Sequence, residues 1–139
     1  MKKWPSIAAV VVLCLGVIIG TACGGGEEEA GVKEVKFGIG MPLSGIYSFV
    51  GIPAMHALEL ANEKIGEFNV AGETYRWKLL IEDNMMTGAG GVASATKLIF
   101  EDGVKLMYQA GTDPAGAAQT TCEESGVLLD MGYAPRELL

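Results

Sequence analysis

The chain has 139 residues, 17 acidic against 10 basic, for a net charge of −7, and 50% of its residues are apolar. A surface of that sign repels nucleic-acid phosphate, which excludes a DNA- or RNA-binding role at the outset. One histidine and three cysteines leave no material for a His-rich metal centre or a dense disulfide framework.

Lys2 and Lys3 precede an apolar run from Ile7 to Ile19, followed by the small residues Gly20, Thr21 and Ala22 and then by Cys23. A basic start, a short apolar stretch and small residues before a cut describe a secretory signal peptide over residues 1–22. The run is shorter than the roughly 20 apolar residues that a membrane-spanning helix needs. A cysteine directly after the cut resembles the bacterial lipobox. That resemblance implies lipidation at Cys23 and an exported protein held at the membrane, in the periplasm or on the cell surface. Two or more acyl chains hold stably where one is marginal. Removing the leader takes away Lys2 and Lys3 but no acid, leaving 8 basic residues against 17 acidic and a charge of −9. Cys14 leaves as well, so Cys122 becomes the remaining free thiol and no intrachain disulfide is expected. The stretch Gly24 to Glu29 cannot pack. It reads as the body of a flexible tether over residues 23–33, ahead of one small domain at 34–139.

Within that domain, Val35 to Gly40 alternates apolar with polar or small residues, and Pro42 and Gly45 punctuate the segment beyond it. This predicts a first strand running into a loop. Pro53 suits the first turn of a helix, behind which Ala54, Ala57, Leu58, Ala61 and Ile65 recur at helical spacing. Asn69 to Gly72 marks a turn, and Tyr75 to Asp83 a second strand with an apolar centre, as in a buried parallel sheet. The glycine-rich segment 88–91 opens a second helix with Val92, Ala95, Thr96 and Ile99 on its buried face and Gly103 at its end. Val104 to Tyr108 is a third strand. Thr112 or Asp113 then serves as N-cap of a third helix with Pro114 in its first turn, Gly126 stops it, and Val127 to Leu129 is a fourth strand.

The alternation β-α-β-α-β-α-β predicts an α/β domain with a doubly wound parallel sheet of order 2-1-3-4. Ligands of such sheets bind beyond the carboxyl ends of the strands where the order reverses, here between strands one and three. That selects the loops Met41–Val50 and Gln109–Pro114. In the second loop, backbone N–H groups at the helix start lack intrahelical partners and sit at the positive end of the dipole, ready for a carboxylate. Gly111 lets a ligand approach closely and Thr112 adds a hydroxyl; equally, Thr112 and Asp113 could do no more than cap the helix. In the first loop, Tyr47 and Phe49 form an apolar wall for a ligand or simply pack.

Enzyme readings fail on particular residues. Gly38-Ile39-Gly40 opens like a dinucleotide fingerprint, but Leu43 stands at the third glycine position and Pro42 disfavours a helix there. His56 is alone and lies within a helix pattern, and Cys122 reads as a small buried hydrophobe. Ser44 lacks a nucleophile-elbow setting because Pro42 fills the first glycine position. Asp83-Asn84 reads as a pair that orders the loop behind it. The chain is read as a non-enzyme without metal or cofactor.

Val35-Lys36-Phe37-Gly38-Ile39-Gly40-Met41-Pro42-Leu43-Ser44-Gly45 resembles the mature start of branched-chain amino acid-type substrate-binding proteins of ABC transporters, the Leu/Ile/Val group of type I periplasmic binding proteins. The likeness continues in register through Ala57 to Ala61, Leu79 to Asn84, Ala93 to Leu98 and Glu123 to Val127. It implies a two-lobed clamp of which this chain holds the first four strands of lobe one, with Leu139 a truncation point. It also implies ligand contacts at Ala110, Gly111 and Thr112, beside Asp113, with Tyr133 and Ala134 near a second contact segment after the fourth strand. Relatives carry a hydroxyl-rich segment there, whereas this chain has Asp130-Met131-Gly132, which argues against a plain branched-chain amino acid. The implied partners are a small ligand (an amino acid, amide, urea-like compound or aromatic acid) and an ABC permease. A sensor or receptor built on the same fold is the alternative.

Overall fold

A computed structural model describes residues 31–132. The signal peptide, Cys23, Tyr133 and Ala134 lie outside the described residues. The strands are β1 (Val32–Met41), β2 (Glu67–Val70), β3 (Glu73–Asp83), β4 (Leu106–Gln109) and β5 (Leu128–Met131). The helices are α1 (Ser48–Ile65), α2 (Gly88–Thr96), continued by a π-helical segment Lys97–Glu101, and α3 (Thr112–Glu124). β1 begins at Val32, so residues 32 and 33 of the expected tether belong to the strand.

The sheet order is β2-β3-β1-β4-β5, with β1, β3, β4 and β5 mutually parallel. The four strands read from the sequence therefore stand in the expected order. What the sequence reading missed is β2, which pairs antiparallel with β3 across a turn at Ala71 and Gly72 (φ 51° and 86°). Left-handed backbone at both turn residues matches the twist of a two-residue hairpin. Phe68 anchors β2 by stacking on Trp77 at 5.3 Å and on Tyr75 at 6.0 Å.

Side chains alternate across each strand, so the sheet has two distinct faces. On one, α2 and α3 close a core of Ala95, Leu98, Ile99, Val104, Met107, Ala118, Cys122 and Val127. Cys122 is part of this core, with its Sγ 4.0 Å from Met107 Sδ and its thiol pKa pushed up by burial and by the nearby Glu123. On the other face, Phe37, Leu79 and Leu106 stand in register beneath α1.

Two helix boundaries differ from expectation. Pro53 lies well inside α1, because a 3-10 turn at Gly45–Tyr47 runs straight into the helix at Ser48. Gly51 lets that early turn dock: a Cβ there would fall 1.8 Å from the Pro42 carbonyl oxygen. In α2 the buried face is Gly90, Gly91, Ser94 and Ala95, not the expected Val92 and Thr96; Val92 is 39% exposed and the Thr96 hydroxyl donates to the Val92 carbonyl at 2.8 Å. Gly91 admits the backbone of α3 at Pro114 and Gly90 that of Asn84, approaches that a Cβ at either position would block.

Candidate functional site

The carboxyl ends of β1, β3 and β4 come together at one edge, where two side chains set the loops. Asp83, the last residue of β3, accepts the backbone N–H of Leu43 at 2.9 Å and that of Met85 at 2.8 Å through Oδ1. It thereby ties the loop after β1 to the loop after β3. Burial pushes its carboxyl pKa up. Hydrogen bonds from the Ser44 hydroxyl and from the N–H groups of Met85, Leu43 and Ser44 outweigh this and hold it below the usual aspartate range. A depressed folded-state value means that the folded protein binds this proton more weakly than the unfolded chain does. The contribution is complete above the unfolded pKa of about 3.9 and is lost as pH falls through the folded value. Asp83→Asn is therefore expected to flatten the acid limb of a stability-against-pH curve measured by urea denaturation; an unchanged acid limb counts against this role.

Asn84 is fully buried and joins three segments. Its Nδ2 donates to Gln109 Oε1 and to the Ala110 carbonyl, both at 2.9 Å, and its Oδ1 accepts the Met86 N–H at 2.9 Å. Gln109 is also fully buried, and its Nε2 donates to the Gly91 carbonyl at 3.0 Å and to Ser94 Oγ at 2.9 Å. Each partner satisfies a group whose unpaired burial would cost about 1–3 kcal/mol. Gly40 makes room for this network, since a Cβ there would meet Gln109 Oε1 at 1.9 Å. The Gly-x-Gly of β1 thus serves packing, with Gly38 set against Val104 and Leu98.

The α3 start differs from the sequence reading. The N-cap is Gly111 (φ 90°, ψ 142°), with Thr112 and Asp113 already inside the first turn and no side-chain cap. Asp113 instead reaches across to the neighbouring helix, where its Oδ2 accepts the Gly88 N–H at 2.6 Å. Thr87 caps the same end, its Oγ1 accepting from the Gly90 N–H at 3.0 Å. The two helices therefore begin side by side, joined through one carboxylate. Gly111 also differs in its reason for being glycine: a Cβ there would fall 2.3 Å from Met86 Sδ, so the space beside it holds a thioether.

Of the residues singled out from the sequence, Ala110, Gly111, Thr112 and Asp113 stand together at this edge. Ala110 is fixed by its N–H to the Gly40 carbonyl at 2.8 Å. Tyr47 and Phe49 flank the entry to α1, 44% and 73% exposed, and neither lines a cavity among those described. A cavity of about 460 Å³ opens between α1 and the sheet. Met41, Pro42, Val50, Met86, Tyr108 and Ala110 contribute to its wall, and Asp130 is its charged lining residue. Sequence reasoning missed Gln109 and Met86. The signal for Gln109 was available, as a polar residue on the core-facing parity of β4; for Met86 there was none. Among the described residues, no group of three His, Cys, Asp or Glu side chains is placed to hold a metal, and no helix is long and apolar enough to cross a membrane.

No protein-family model and no curated protein sequence matches the chain. Solved structures do. A solute-binding protein of an ABC transporter from Rhodopseudomonas palustris BisB5, in complex with 3,4-dihydroxybenzoic acid, superimposes with a TM-score of 0.63 at 21% identity, over 76% of this chain and 28% of that one. The branched-chain amino acid transporter substrate-binding protein LivJ from Streptococcus pneumoniae, in complex with isoleucine, gives 0.63 at 23% identity, over 76% and 31%. An ABC transporter substrate-binding protein from Sphaerobacter thermophilus gives 0.60 at 22%, over 73% and 27%. The described residues thus have the fold of type I periplasmic solute-binding proteins. The chain spans less than a third of the length of these three structures.

Proposed function

We propose that this chain forms the ligand-facing part of the first lobe of an extracytoplasmic solute-binding component of an ABC transporter. Its ligand is an amino acid or a related small polar metabolite, an aromatic acid included. The observation that carries the reading is the arrangement at the sheet's carboxyl edge. Asp83 and Asn84 lock three loops together where β1 lies between β3 and β4, beside a helix whose cap is a glycine. That is the reversal point at which open α/β sheets bind ligands. Support also comes from solved proteins of this fold that hold isoleucine, benzoate and 3,4-dihydroxybenzoic acid.

In this reading the ligand's carboxylate meets the first turn of α3, with Ala110, Gly111 and the Thr112 hydroxyl as its contacts. Asp113 braces that turn through Gly88, and Tyr47, Phe49, Tyr133 and Ala134 are the further candidate contacts. Lipidation at Cys23 and the tether keep the lobe near its permease, which raises the effective concentration for transfer.

The test has two arms, both in the full-length protein carrying this chain. Calorimetric titration with isoleucine, benzoate and 3,4-dihydroxybenzoate should find a ligand, and Thr112→Ala should weaken it about tenfold, the loss of one charge-assisted hydrogen bond. Undiminished affinity removes Thr112 from the site. Cys23→Ser should abolish incorporation of labelled palmitate in cells; equal labelling of both proteins removes the anchor.

A further inference from the structure

The two residues after Asn84 are both methionines, and both hold left-handed backbone, Met85 at φ 51° and Met86 at φ 54°. Consecutive non-glycine residues in that region are uncommon and strained, so the loop persists only because its surroundings fix it. Asp83 and Asn84 supply the fixing, by accepting the N–H groups of Met85 and Met86. The two side chains have different surroundings. Met85 is 58% exposed, whereas Met86 is half-buried with its sulfur against Gly111, the N-cap of α3. Met86 also lines the cavity beside Pro42 and Ala110. Its thioether is therefore open to a small reagent and wedged against the start of α3 at the same time.

We infer that Met86 is an oxidation site, and that its sulfoxide releases the loop between β4 and α3. The reagent is a hydroperoxide. A sulfur lone pair attacks the peroxide oxygen, the O–O bond breaks, and one oxygen atom passes to sulfur. Sulfur is oxidised by two electrons to the sulfoxide while hydrogen peroxide is reduced to water. The product is polar and chiral, and it no longer suits an apolar wall. The added oxygen also needs room at the contact with Gly111, where the sulfur already fills the space of a side chain. Met41 and Met107 are shielded, 2% and 0% exposed, while Met85 on the same loop reports the reagent's access. An effect on solute capture rests on the function proposed above; release of the loop does not.

The experiment treats the full-length protein with hydrogen peroxide and tracks it by tandem mass mapping and amide hydrogen exchange, with no solute present. The expected result is one added oxygen on Met86 and roughly tenfold faster exchange at the amides of Gly111 to Ala115, a local opening. Met86→Leu should abolish that acceleration, and Met85→Leu should leave it. Met86 unmodified when Met85 is fully converted overturns the site. Oxidised Met86 with unchanged exchange overturns the release. If Met86→Leu does not fold, the wild type still reads the site against Met85, and the Met85→Leu protein reads the release, because Met86 is then the one oxidisable residue of the pair. Failure of Thr112→Ala to weaken a solute bears only on solute binding, so the two proposals fall separately.

Discussion

Asn84→Asp is expected to cost about 3 kcal/mol at pH 7, the scale of an uncompensated buried charge, and to recover most of that in mild acid. The wild-type Nδ2 donates to two oxygens, Gln109 Oε1 and the Ala110 carbonyl. A carboxylate would set acceptor against acceptor at both contacts, each 2.9 Å long in the wild type. Protonation restores one donor, which can reach either oxygen. The site thus favours the neutral acid, and the folded-state pKa of the introduced group is raised above the unfolded value of about 3.9. Between those two values the folded protein binds the proton more tightly, so stability falls as pH rises, and the penalty is complete above the raised value. Asp83, one residue earlier, has the opposite sign, because its hydrogen bonds favour the charged form. Neighbouring positions with opposite pH slopes are a strict test of the network. Urea denaturation of the variant across pH 4 to 8 measures it (about the range in which a raised carboxyl titrates), and a deficit that stays constant across that range defeats the account.

The parallel strands were legible because their centres are apolar or alternate regularly, and glycine or proline punctuates several of the connections between elements. Leu79 to Ile81 and the Gly103 stop illustrate both signals. β2 was not legible: Glu67 to Val70 is four residues long, lies at the sheet edge and takes its place from pairing with β3. The buried face of α2 was misread for a related reason. Periodicity weights Val92 as apolar, yet the contact with α3 is so close that glycine and serine outcompete it. Positions 110–113 stand at the sheet's carboxyl edge, where the topology alone directs attention. The contacts they make were not legible. That Asp113 reaches Gly88, and that Met86 fills the space beside Gly111, are contacts across 25 positions in each case. No local pattern encodes them.

The contact between α2 and α3 carries the second large effect. Gly91→Ala is expected to destabilise the fold by about 2–3 kcal/mol, although alanine is the better helix former by about 1 kcal/mol. A Cβ at Gly91 would fall 2.3 Å from the Pro114 carbonyl oxygen, 2.5 Å from Pro114 Cα and 2.7 Å from its carbonyl carbon, all of them backbone atoms. Neither side can yield. The Gly91 carbonyl is held by Gln109 Nε2 and the Ser94 hydroxyl, both at 3.0 Å, and the proline ring fixes the first turn of α3. Relief then requires the whole of α3 to move away, and Thr112 moves with it. Gly88→Ala is the matched control. Its Cβ would meet only the Ala117 methyl and the Asp113 carboxylate, at 3.3 Å, and side chains can shift by that much. Its stability should stay within about 1 kcal/mol of the parent, since steric cost and helix propensity offset one another. Denaturant midpoints of the two variants decide the matter. If Gly91→Ala is as stable as Gly88→Ala, the two helices are not in backbone contact, and the placement of the α3 start derived from that contact fails with it.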